Sequence, residues 1–172
     1  MYQVGELLVY GIHGVCRVLE EEQRIVDKKK VTYLVVGPLG QEGAKFLVPT
    51  HNEAAMAKLR PILGREELTA LLESTHGLRD EWIQEEARRK QLYRELSAGA
   101  DRKRLLGMMV AVIRYKQERI AAGKKCHQCD DNFLRDAEKL LCGEISVVMS
   151  MDYSESRNYL YQKLNENTLR EM

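Results

Sequence analysis

At 172 residues with 44% hydrophobic content the chain is long enough for one ordinary domain or two small ones, and a formal net charge of +1 argues against a wholesale nucleic-acid coater. The first 25 residues contain Glu6, His13, Arg17 and Glu20 to Glu22, so they hold no apolar segment of a signal peptide, and no run of about 18 apolar residues follows. The expected compartment is the cytoplasm, where Cys16, Cys126, Cys129 and Cys142 are expected to stay reduced rather than form a disulfide framework.

From Val4 to about Leu63 the chain reads as β. Leu7 to Tyr10, Val15 to Leu19, Val31 to Val36 and Phe46 to Val48 are short β-branched or aromatic runs, punctuated by glycines and Pro49, with a hairpin tip at Asp27 to Lys30. Leu59 to Ile62 adds an edge strand, where proline is tolerated. Strands at this spacing predict a bent sheet or small barrel. From Gly64 the hydrophobic period becomes helical. Helices are predicted over about Arg65–Ser74, Arg79–Leu96, Asp101–Ala122, Asp130–Ser150 and, more weakly, Ser154–Leu169. Asp101 and Asp130 or Asp131 are the candidate N-caps, and Gly77, Gly99 and Gly123 stand where helices should stop. Leu105, Met108, Met109, Val112 and Ile113 on one helix face Phe133, Ala137, Leu140, Leu141 and Val148 on the next in a small bundle. The expected class is therefore α+β, with a β-rich domain at 1–63 and an all-α domain at 64–172.

Charge is sorted into blocks. Arg88 to Lys125 holds 12 Lys/Arg against 3 Asp/Glu, whereas Gly64 to Ala87 holds 2 against 7 and Cys126 to Met172 holds 5 against 9. Such sorting creates a local field where net charge predicts none. Arg88, Arg89, Lys90, Arg114, Lys116, Arg119, Lys124 and Lys125 suit phosphates, which position a protein on DNA without reading sequence. Base-reading spacing of Asn, Gln and Arg on one helix is absent, which fits readout of shape. The alternative is a set of solvated helix faces. Trp82, the single tryptophan, precedes this block. An indole can stack on a distorted base step, but Trp82, Glu86, Arg89, Tyr93 and Leu96 share a helical face, so the ring can equally extend an apolar stripe into the bundle.

Val4-Gly5-Glu6-Leu7-Leu8-Val9-Tyr10-Gly11-Ile12-His13-Gly14-Val15, followed by Tyr33-Leu34-Val35 and Val48-Pro49, resembles the RNA polymerase-interacting domain of CarD-like regulators and of the transcription-repair coupling factor. Lys116 to Arg119, Ala122 to Lys125, Phe133-Leu134 and Ala137 to Glu144 resemble the C-terminal pattern of the CarD-like branch, so the resemblance runs to about Met149. It implies a bacterial transcription factor whose Tudor-like first domain holds the polymerase β subunit. Its helical domain would touch promoter DNA at the upstream edge of the melted region, with a tryptophan wedged into the minor groove. Arg24 matches a family arginine of the polymerase-binding segment. Some members carry a second interface arginine where Leu47 stands, and neighbouring Lys45 is placed to substitute for it. Arg24 read without the resemblance is an ordinary solvated arginine.

Cys126-His127-Gln128-Cys129 offers two thiolates at metal-ligand spacing, but a closed zinc site needs four ligands and no second pair follows. A redox role would need a βαβ setting that this half lacks. His13 between Gly11 and Gly14 reads as a turn residue, and no phosphate-binding or dinucleotide fingerprint and no nucleophilic triad is found. The expectation is a monomeric, non-enzymatic adaptor without cofactor or metal. Its expected partners are the RNA polymerase β subunit and promoter DNA. The competing expectation is an adaptor whose helical half docks a protein and never engages DNA.

Overall fold

The structure, a computed structural model, describes residues 2–74, 82–99 and 101–169, the last five of these as backbone. They form two compact units, 1–62 and 63–172. The first is a five-stranded antiparallel sheet built from β1 (Leu7–Tyr10), β2 (Val15–Val26), β3 (Lys29–Pro38), β4 (Phe46–Pro49) and β5 (Leu59–Pro61), in the order β4-β3-β2-β1-β5. Alternation along the strands sends Leu8, Cys16, Val18, Leu34, Val36 and Val48 into one core with Leu59. A 3-10 turn at Gly11–His13 joins β1 to β2, so His13 is a turn residue, its ring 4.1 Å from that of Phe46. Between β4 and β5 lies a one-turn helix, α1 (Glu53–Met56), which the sequence reading did not anticipate. Asn52 caps it by accepting from the Ala55 N–H at 3.0 Å.

The β2–β3 hairpin is much longer than its apolar runs. Pairing continues through Glu22↔Tyr33 and Arg24↔Val31 to Val26↔Lys29, whereas β1 covers β2 only at Val15–Arg17 and β4 covers β3 only at Tyr33–Val36. Among the described residues, the outer half of the hairpin is thus a two-stranded ribbon with no strand paired beside it. Its strand character needs no buried side chains because ladder hydrogen bonds alone hold it, which is why the charged run Glu20–Arg24 carried no alternating signal. A bulge at Leu19, between the Val18 and Glu20 pairs, marks where the ribbon leaves the core. At the tip Asp27 and Lys28 both take positive φ, 50° and 63°, as a two-residue primed turn demands.

The second unit comprises α2 (Arg65–Glu73), α3 (Glu86–Ala98), α4 (Arg102–Ala121), α5 (Gln128–Met149) and α6 (Tyr153–Leu169). Its core joins Leu68 and Leu72, Tyr93 and Leu96, Leu105 to Val112, Phe133 to Ile145 and Leu160 with Leu164. Except for Leu140, which is buried but outside this cluster, the predicted stripes of α4 and α5 lie in or against it, Ile113 and Val148 being half-buried at its margin. Asp101 caps α4, accepting from the Arg104 N–H at 3.0 Å. Gly123 follows α4 at φ 67°, and Lys124 N–H closes onto the Arg119 carbonyl at 2.8 Å. Glu144, buried in α5, takes two hydrogen bonds from Arg102 at 2.8 and 2.6 Å and one from the Leu63 N–H at 3.0 Å.

Two helix starts differ from expectation. α3 begins at Glu86, not near Arg79, so Trp82 stands in an irregular segment four residues ahead of it; Arg79 and Gly77 lie outside the described residues. α5 begins at Gln128 with His127 at the N-cap position, where it makes no side-chain capping bond, so neither Asp130 nor Asp131 is the N-cap. Both lie in the first turn, and the Asp130 carboxylate is turned into the core, where buried donors compete successfully for it.

Candidate polymerase and nucleic-acid interfaces

On the sheet, register brings three expected residues together. Val35 pairs with both Glu20 and Leu47, so these share a face, and Glu22 and Arg24 follow Glu20 on that face at the two-residue period. Arg24 lies half-exposed and forms a bidentate pair with Glu22, Nε–Oε1 2.8 Å and Nη2–Oε2 3.1 Å. This pairing holds the Glu22 carboxyl below its usual range and raises the Arg24 guanidinium. Lys45 lies just before β4 and reaches Glu20 at 3.4 Å. Leu47 is half-buried. The outcome is a charged strip along the ribbon, bordered by Ile25, which is 80% exposed, and Val26.

In the helical unit part of the basic stretch meets carboxylates of its acidic flanks. Lys90 pairs with Glu86, Lys116 with Asp131, and Arg102 with Glu144. Arg119 donates from Nε to the Lys125 carbonyl at 2.7 Å and from Nη1 to the Tyr115 hydroxyl at 3.2 Å. Arg114 is half-buried, while Arg88, Lys124 and Lys125 are exposed.

Arg89 must be reassigned: it is 1% exposed, and its guanidinium is not available to a phosphate. Nε pairs with Asp130 Oδ1 at 2.9 Å, and Asp130 also accepts from the Tyr93 hydroxyl at 2.9 Å and the Cys129 thiol at 3.4 Å. A buried guanidinium survives only where a carboxylate and further acceptors replace its water, and here they do. Burial and the Asp130 bond push the Tyr93 phenol far above its ordinary value. Burial, then the Asp130 charge, raises the Cys129 thiol, which makes it a poor thiolate.

Trp82 is half-buried against this core. Its ring stacks on Tyr115 at a centroid distance of 3.7 Å and an interplanar angle of 23°, and the Arg89 Cζ lies 4.5 Å from its centroid. The indole Nε1 is buried and, among the described residues, has no hydrogen-bond partner. His127 lies parallel to Tyr115 at 6.4 Å, and Arg119 sits over Tyr115 at 5.6 Å. Tyr115 was missed in the sequence because its position near the end of the apolar stripe of α4 reads as ordinary amphipathicity.

A five-stranded antiparallel sheet with a charged ribbon, followed in the same chain by a helical unit, places the protein in the α+β class. Among the described residues no helix is long and apolar enough to cross a membrane. Residues 2–63 match the family described as the CarD-like/TRCF RID domain, which supports membership of the CarD-like family. The match supports, in general terms, an RNA polymerase-binding transcription factor.

Proposed function

We propose that the ribbon face carrying Arg24, Lys45 and Leu47 docks on the β subunit of RNA polymerase. The helical unit then steadies promoter DNA at the upstream edge of the melted region, in the cytoplasm and without making or breaking a bond. The observation that carries this reading is the juxtaposition of those three residues beside an uncovered ribbon inside a domain of this family. Uncovered strands recognise partners by adding a strand, with backbone bonds supplying affinity and flanking side chains supplying choice. Arg88, Lys124 and Lys125, with Lys90, Arg114, Lys116 and Arg119, supply phosphate contacts. The half-buried Trp82 supplies an apolar contact of the kind that wedges a base step.

Open-complex lifetimes and polymerase binding test the two halves separately. Arg24→Glu is expected to lose binding and lifetime together, and Trp82→Ala to shorten lifetime while binding is kept. A folded Trp82→Ala protein with an unchanged lifetime would remove Trp82 from the DNA interface. The carboxylate partners of Lys90 and Lys116 favour a second reading, in which the helical unit docks a protein. That reading predicts that charge reversal at Lys124 and Lys125 leaves the salt dependence of promoter engagement unchanged.

A further inference from the structure

The segment from Trp82 to Glu85 belongs to no helix or strand, yet its tryptophan is held against Arg89 of α3 and Tyr115 of α4. The bonds that hold it converge on one side chain. Arg89 Nη1 donates to the carbonyls of Ile83 at 2.7 Å and Gln84 at 3.1 Å, and Nη2 contacts the Cys129 sulfur at 3.8 Å. Nε is fixed by Asp130 at 2.9 Å, and the guanidinium carbon lies 4.5 Å from the centroid of the indole ring. A planar guanidinium can bridge two carbonyls, pair with a carboxylate and lie on an aromatic face at once; an ammonium cannot.

We infer that Arg89 is a positioning residue for Trp82. Anchored by Asp130 at the first turn of α5, it clamps the irregular segment through two carbonyls and lies on the indole ring, while Tyr115 stacks on it. Trp82 thereby meets its partner in one orientation, with its N–H buried, without an ordering cost at the moment of contact. The inference rests on the proposed DNA role only for its consequence in transcription; the clamp itself is read from the fold.

Because Trp82 is the single tryptophan, its fluorescence reports this clamp directly. Removing Arg89 alone would strand a buried carboxylate, so the test uses the full chain with the paired change Arg89→Met and Asp130→Asn, which keeps an acceptor for Tyr93. Arg89→Lys serves as a second variant that retains the charge but not the bridge. The expected result is an acrylamide quenching constant for Trp82 raised about twofold in the double variant and by less in Arg89→Lys, with unchanged far-ultraviolet circular dichroism. Wild-type quenching and emission in either folded variant would overturn the inference. Open-complex lifetime is measured alongside: raised quenching with a wild-type lifetime would leave the clamp standing and defeat the DNA reading of Trp82.

Discussion

The two units use arginine in opposite ways. Arg24 stands on a ribbon outside the sheet core, paired within its own strand to Glu22, half in solvent. Arg89 is folded into the helical core, paired across elements to Asp130, with Tyr93, Cys129 and Trp82 around it. The first arrangement separates recognition from stability, because nothing in the sheet core depends on the ribbon. The second merges them, since the residues that present Trp82 also hold α3 to α5. A surface pair is worth at most about 1 kcal/mol, whereas breaking a buried one strands a charge that water cannot reach.

That contrast is broken most directly at Arg89. Arg89→Ala is expected to cost ~3–5 kcal/mol in urea unfolding by leaving Asp130 buried and unpaired, and a cost below ~1 kcal/mol would show the two arginines to be alike. Arg24→Glu should weaken polymerase binding by more than about tenfold while the melting temperature stays at the wild-type value, as binding isotherms and melting curves would show. Tyr93→Phe removes one of the Asp130 donors and should cost ~1–2 kcal/mol, an effect that vanishes if Asp130 is rehydrated instead.

Smaller still is the alkaline response of the two cores. Burial pushes the Cys16 thiol from 9.0 to about 11 in the sheet, and burial, then Glu138, pushes Cys142 to about 12 in the helical unit. Above pH 9 the unfolded chain gives up protons that the folded chain keeps. Stability from these thiols is therefore complete below pH 9 and falls as pH rises through about 11 and 12. Unfolding free energies of Cys16→Ala and Cys142→Ala between pH 8 and 10.5 should fall less steeply than wild type, and parallel curves would contradict the assignment. At pH 8 iodoacetamide should label half-buried Cys126 and Cys129 before buried Cys16 and Cys142, as peptide mapping would reveal.

Much of the architecture was legible because it follows local rules. Proline at 61 marked an edge strand, Asp101 marked a helix start, and the apolar spacing in 105–113 and 133–148 marked the faces that pack. The ribbon was shortened in the reading because Glu20 to Arg24 has no hydrophobic alternation, and only ladder partners on β3 make it a strand. The shared face of Arg24 and Leu47 needed the register through Val35, which spacing between distant segments does not carry.

By itself the sequence determined a β-rich start, a helical remainder, the apolar faces and the family pattern in the opening strands, since each depends on neighbours within a few positions. The tertiary structure alone decided what the charges do. Blocks that stand apart along the chain meet in space: Asp130 takes Arg89 inward, Asp131 takes Lys116, and Glu144 takes Arg102. Coulomb attraction and desolvation depend on distance and burial, and neither is a property of sequence order. The same folding turned Trp82 from a lone aromatic ahead of a basic run into a half-buried ring stacked on Tyr115, with Arg89 over it and its N–H turned away from solvent.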